Sequence, residues 1–259
     1  GALVGLIDMR TAAMRDENGE PFASKREGDS EGLAQLPDGR FAVSFEQSQS
    51  IRIYDLNRDG PFGAAAPGPA LDGARRLRAN VGLEAIAVAS NGELLVGAEG
   101  DGDGAPLWRA PLGAQAPVAP AAHYRLEPGY SLTALDRLPD GDFVALERFY
   151  APIIGARARI ARFSEQALAA GDVIEAAELA NIEAPAPVDN FEAIAAIAMP
   201  DGATRVYILS DDNFSNRQRT LLLAFDLPAR EADFSERTAR FERAPEDRVS
   251  RVPASSGGR

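Results

Sequence analysis

Four segments of the chain repeat one pattern of apolar and polar positions: GDSEGLAQLPDGRFAVSFE (28–46), VGLEAIAVASNGELLVGAE (81–99), YSLTALDRLPDGDFVALER (130–148) and DNFEAIAAIAMPDGATRVYILSDDN (189–213). In each, a short apolar run enters a turn built on Pro-Asp-Gly or Asn-Gly, and a second apolar run leaves it. Gly and Asn tolerate the positive φ that tight turns demand, so each copy predicts a β-hairpin. A third strand is expected at 51–54, 158–163 and 220–225, with clear alternation in the first two. The residues that open the copies, Glu31, Glu84, Thr133 and Glu192, lie 53, 49 and 59 positions apart. Periods near 50 belong to propeller blades. A sheet of three or four strands cannot bury both faces alone, so such sheets stack around an axis. The prediction is an all-β fold, a β-propeller of about four to six blades with three- or four-stranded antiparallel sheets, spanning residues 1–227.

Other stretches depart from the repeat. Residues 1–8 read as a further strand, 60–76 as a surface loop and 111–122 as an interblade connection, both rich in Gly, Ala and Pro. Residues 164–180 have helical composition with Ser164 as N-cap. Residues 228–259 alternate charges and predict a peripheral or disordered tail. Trp108 is expected in the core and His123 at the surface.

Charge narrows the partners. Lys and Arg total 27 against 39 Asp and Glu, a formal charge of −12, which argues against nucleic acid or a bare anionic membrane. The longest apolar run, 193–199, is seven residues, far short of the roughly 20 that span a bilayer, so no membrane insertion is expected. The absence of Cys and the presence of a single His remove thiolate chemistry and His-rich zinc sites. Neither a GxSxG elbow nor a GxxxxGK[ST] loop is present. Carboxylates, amides, hydroxyls and Arg must carry any chemistry.

Equivalent positions of successive blades form rings around the axis. The first ring reads Glu31, Glu84, Thr133, Glu192; a second, at the end of the returning strand, reads Glu46, Glu99, Glu147 and Asp211-Asp212. The second ring follows the first by 15, 15, 14 and 19 residues. Both rings are expected to meet at one rim, where crowded carboxylates repel and require a counter-ion. Hard oxygen donors suit Ca²⁺, which takes 6–8 oxygens. The expected metal ligands are Glu31, Glu84, Glu147, Glu192, Asp211, Asp212 and Asn213, with Asn190 and Thr133 completing the shell. The alternative is solvated or Arg-paired Glu, as Arg148 beside Glu147 allows. The run Glu99-Gly100-Asp101-Gly102-Asp103-Gly104 is a weaker calcium candidate or a solvated hairpin end, since it has no closing Glu.

At these same stretches, above all YILSDDNFSNRQRTLLLAFDL (207–227) and SLTALDRLPDGDFVALERFY (131–150), the chain resembles the phytase-like family of bacterial propeller proteins, or "esterase-like activity of phytase", over roughly 28–227. The resemblance implies ester or phosphoester hydrolysis, export to the periplasm or medium, an opening blade ahead of residue 1, and a site lined by Glu31, Glu84, Glu147, Arg148, Glu192, Asp211, Asp212 and Asn213. The expected activity is calcium-dependent hydrolysis of a small-molecule phosphoester or carboxylic ester, with Glu192 or Glu84 as general base and Arg148 neutralising developing charge. The competing expectations are a non-catalytic binding propeller holding a structural ion, and a calcium-dependent lactonase. Lys25 is the only Lys and the Arg residues are scattered along the chain, which disfavours a highly phosphorylated substrate.

Overall fold

The computed structural model describes residues 8–78, 81–100, 102, 104–169 and 173–227. Four small sheets stand in a ring, a four-blade β-propeller. Blade 1 contains β1 (Ser30–Gln35), β2 (Phe41–Phe45), β3 (Ser50–Tyr54) and the two-residue β4 (Ala66–Pro67). Blade 2 contains β5 (Leu83–Val88), β6 (Leu94–Ala98), β7 (Gly104–Ala110) and β8 (Pro120–Arg125). Blade 3 begins with β9 (Tyr130–Arg137), β10 (Phe143–Ala151) and β11 (Gly155–Phe163). The chain then forms a short helix, Glu165–Ala169, and β12 (Val173–Ile174), which joins blade 2 beside β8 in parallel. It returns as β13 (Ala177–Ile182), outermost in blade 3. Blade 4 contains β14 (Phe191–Ala198), β15 (Thr204–Ser210) and β16 (Leu222–Leu227).

The hairpins fall where the turn residues predict, and the predicted third strands are β3, β11 and β16. Three expectations change. The helix expected over 164–180 is described over Glu165–Ala169, and β12 and β13 occupy most of the described remainder. Blade 2 has five strands rather than three or four, one of them parallel. The 111–122 connection already contains the start of β8. Residues 1–7 of the expected first strand, Asp101 and Asp103 of the acidic run, and the 228–259 tail lie outside the described residues.

Inner strands β1, β5, β9 and β14 lie side by side in chain order, and apolar layers fill the gaps between blades. Ile53, Leu83, Val96 and Trp108 join blades 1 and 2. Tyr124, Leu132, Phe143 and Phe163 join blades 2 and 3. Leu146, Ile160, Phe191 and Ile208 join blades 3 and 4. Trp108 is buried as expected, its indole N–H donating to the Asp72 carbonyl at 3.0 Å, while His123 is exposed. Met14 and Phe22 cover the other face of blade 1 at Val43, Phe45 and Tyr54. On blade 4 the face turned away from blade 3 leaves Ile197, Leu209 and Leu222 exposed. No helix among the described residues is long and apolar enough to cross a membrane.

Candidate functional site: an acidic rim with one guanidinium

A β-bulge sits at the same place in every inner strand. Ser30 pairs with Phe45 and Leu33 with Val43; Leu83 pairs with Ala98 and Ala85 with Gly97. Leu132 pairs with Glu147 and Ala134 with Leu146; Phe191 pairs with Ser210 and Ala193 with Leu209. The residue squeezed out of register is Glu31 (with Gly32), Glu84, Thr133 and Glu192 in turn, which is the whole first ring. A bulge interrupts the strict two-residue alternation and re-aims one side chain. Hydroxyls from neighbouring strands tie these bulges down: Ser44 donates to the Glu84 carbonyl, and Thr133 to the carbonyls of Leu146 and Phe191. Thr133 is buried and engaged in these bonds, so in blade 3 the ring position joins blades instead of presenting a carboxylate.

One step beyond the pair that precedes each bulge stands the second ring. It consists of Glu46, Glu99, Arg148 and Asp211, because the bulge-preceding residues pair with Phe45, Ala98, Glu147 and Ser210. Arg148 follows Thr133 by the same 15 positions that separate Glu46 from Glu31 and Glu99 from Glu84. Glu147 therefore points to the opposite face of β10 from Arg148. It is fully buried, accepts a hydrogen bond from the Tyr124 hydroxyl at 2.5 Å, and pairs closely with Arg159. Burial raises the Glu147 carboxyl above its usual range against the pull of Tyr124 and Arg159. The structure does not bring Glu147 to the rim.

A third equivalent position, two residues before each bulge, reads Asp29, Gly82, Ser131, Asn190. The backbone N–H of Glu46, Glu99 and Asp211 donates to the carbonyl of Asp29, Gly82 and Asn190 respectively. Gly82 is required here, since a Cβ would collide with Glu46 Cγ. Glu46 thus reaches across from blade 1 over a glycine of blade 2.

Carboxylate oxygens of Asp29, Glu31 and Glu46 lie within 4.8 Å of one another. Desolvation, with Asp29, Glu192 and Glu46 nearby, pushes the Glu31 carboxyl up to about 7. Deeper burial, with Glu31, Glu99 and Glu46 around it, pushes Glu84 up to about 9. Glu46 is also raised, by burial first and then by Asp29 and Glu99. Arg148 occupies the other side of the rim. Its guanidinium donates to Asn190 Oδ1 at 2.5 Å, Glu192 Oε1 at 2.6 Å and Glu99 Oε1 at 3.3 Å. Asn190 also donates to Glu192 Oε1, at 2.6 Å. Burial still raises Glu192, although Arg148 and Asn190 lower it.

Glu31, Glu84, Arg148 and Glu192 are therefore gathered, and Asp211 joins them closely enough to raise Glu192. Asp212 and Asn213 organise their own loop. Asp212 accepts from the Phe214 N–H and the Thr220 hydroxyl, and the Asn213 N–H donates to Asp211. Asp29 is absent from the sequence-derived set. It was findable, because it occupies the same offset before Glu31 that Asn190 occupies before Glu192. The group Asp29–Glu31–Glu46 can hold a metal ion. The donors are all hard carboxylate oxygens, the type that oxygen-liganded cations such as Ca²⁺ take.

Among solved structures the chain is similar, at the level of fold, to a protein of unknown function from Dyadobacter fermentans DSM 18053, with 16% identity over 80% of this chain and 63% of that one, TM-score 0.46. It is also similar to the endo-arabinase from Bacteroides thetaiotaomicron VPI-5482, with 14% identity over 78% and 75%, TM-score 0.45. A third is a protein from Thermus thermophilus named as an oxidoreductase (glucose dehydrogenase), with 17% identity over 76% and 65%, TM-score 0.41. The chain spans less than two thirds of the length of the first and third of these. No curated protein matches the chain at a significant level. The model of the phytase-like family, described as esterase-like activity of phytase, matches residues 2–214. This is most of the chain and includes all four bulges with their acidic neighbours, and the protein belongs to that phytase-like family.

Proposed function

We propose that the rim is a calcium site at which a small-molecule phosphoester or carboxylic ester is hydrolysed, in an exported protein. The observation that carries this reading is a charge imbalance. Asp29, Glu31, Glu46, Glu84, Glu99 and Glu192 converge, and among the described residues the cations within reach are Arg148, bound to Glu99 and Glu192, and Lys25, 3.4 Å from Asp29. Carboxylates this desolvated either take up protons or recruit a cation. Asp29, Glu31 and Glu46 would hold the ion, with Glu84 beside them. When bound, it would polarise the scissile group and favour ionisation of water.

The chain's own residues supply the rest. Glu192, fixed through one oxygen by Arg148 and Asn190, is placed to accept a proton. Arg148 stands where negative charge develops on the substrate oxygen, held in place before the reaction by three acceptors. Thr133 supplies no base, because its hydroxyl is spent on backbone carbonyls.

The test combines binding and turnover. Ca²⁺ should raise the melting temperature and EDTA should lower it, as for an ion that binds the folded state alone. Aryl phosphates, aryl esters and lactones should reveal calcium-dependent turnover that Glu192→Gln abolishes. No response to either reagent removes the ion. Calcium binding with no turnover on any substrate favours a binding propeller with a structural ion.

A further inference from the structure

A cleft of about 990 Å³ opens beside the rim and shares Arg148 and Asn190 with it. Its walls come from β10, from residues 188–190 and from the 215–219 stretch. Three Arg residues that are far apart in the sequence meet here: Arg148, Arg217 and Arg219. Two of them are occupied. Arg148 binds the rim carboxylates, and Arg219 lies against Asp189 at 3.4 Å and donates to the Val188 carbonyl. The Arg217 guanidinium is exposed and has no ion pair or hydrogen bond among the described residues, although its backbone N–H is fixed by Ser215.

Next to Arg148 the β10 wall turns aromatic. Phe149 and Tyr150 line it, with Tyr150 71% exposed and Phe149 braced by Tyr130 at 5.4 Å. Exposed apolar side chains continue onto both bordering loops, Ile153 in the β10–β11 turn and Phe214 just before Ser215. Large apolar groups fully in water next to a concave, cation-bearing cleft mark a binding surface.

We infer that this cleft is the substrate subsite, and that it takes an amphiphilic anion: a phosphate- or carboxylate-bearing molecule with an apolar group. Arg217 is its specificity-determining residue. The anion meets Arg217 as a bidentate partner, the apolar part lies on Phe149 and Tyr150, and the Arg148 end delivers the ester to the rim. The placement of the ester rests on the proposed hydrolysis; the binding of the anion does not.

Isothermal titration separates the two. Phenylphosphonate and benzoate serve as non-hydrolysable probes, and benzyl alcohol as the neutral one, each with and without Ca²⁺. At least one anion should bind, inorganic phosphate should bind more weakly than phenylphosphonate, and Arg217→Ala should weaken the anion tenfold or more. Arg205→Ala, which removes a half-buried guanidinium paired with Asp226 on blade 4, should leave binding unchanged. The stabilisation by Ca²⁺ should persist in Arg217→Ala. Comparing the two anions identifies the preferred oxyacid. Anion binding that is indifferent to Arg217, equal for benzyl alcohol, or absent in a protein that still responds to Ca²⁺ overturns the subsite. Anion binding that depends on Arg217 without any calcium response leaves the subsite standing and sinks the hydrolytic reading.

Discussion

Arg148 of blade 3 donates to Glu192 of blade 4 at 2.6 Å and to Glu99 of blade 2 at 3.3 Å, so one guanidinium joins three blades at the rim. Replacing it with Ala strands two partly buried carboxylates. Turnover should fall by about 10²–10³, the usual loss for a single preorganised donor. Arg148→Lys should restore little, because one ammonium cannot reproduce the planar fork. Full activity in Arg148→Ala would show that the rim chemistry does not need this cation.

The ion-free protein should respond to pH through the crowded carboxyls. Glu31 and Glu84 titrate at about 7 and about 9 in the folded state against 4.5 ordinarily. Their contribution to stability is fully present below that ordinary value and is lost as pH rises through the folded values. In EDTA the melting temperature should decline from about pH 5 to about pH 9. Saturating Ca²⁺ should flatten the decline, because the ion favours the ionised forms. A melting temperature independent of pH across this window in EDTA would contradict the crowding.

Glu147 and Glu46 should behave in opposite ways. Glu147→Ala leaves the buried Arg159 held by the half-exposed Glu178 and the Ala176 carbonyl and takes the acceptor from the buried Tyr124 hydroxyl, which costs about 1–3 kcal/mol, and calcium affinity in the folded fraction should be unchanged. Glu46→Gln should weaken calcium while altering stability little in EDTA. Chemical denaturation and calorimetric titration of both variants decide the matter, and a calcium defect in Glu147→Ala would return that residue to the ligand set.

Blade 4 should show a face-dependent response. Ile208 is fully buried between blades 3 and 4, whereas Ile197 is 52% exposed. Ile208→Ala should cost about 2–5 kcal/mol and Ile197→Ala about 0.5 kcal/mol or less, read from urea midpoints. Similar losses at both sites would mean that the outer face is covered in solution.

The hairpins, the blade period and the bulge carboxylates Glu31, Glu84 and Glu192 were legible because turn residues and apolar alternation are local signals. Glu147 misled because it is an acid next to the right place. The constant offset of 15 residues points to Arg148, but only knowledge of the bulge makes that one step decisive, since it reverses which face a side chain occupies. Asp29 is marked by its offset before Glu31 rather than by residue type, because the equivalent positions read Gly82, Ser131 and Asn190. The gathering of Arg217 with Arg148 and Arg219 depends on how the loop after β15 folds back on β10, which no local pattern encodes. The short helix and the parallel β12 reflect neighbouring blades outweighing the helical composition of 164–180.

The irregularity that recurs in each inner strand lets a substitution at that spot alter what the axis presents while the apolar layers between blades stay as they are. Blade 3 demonstrates this freedom, with a hydroxyl and a guanidinium installed where its neighbours keep acids. Descendants of such a scaffold can exchange one seat at a time, and reactivity can drift around the circle without the architecture being rebuilt.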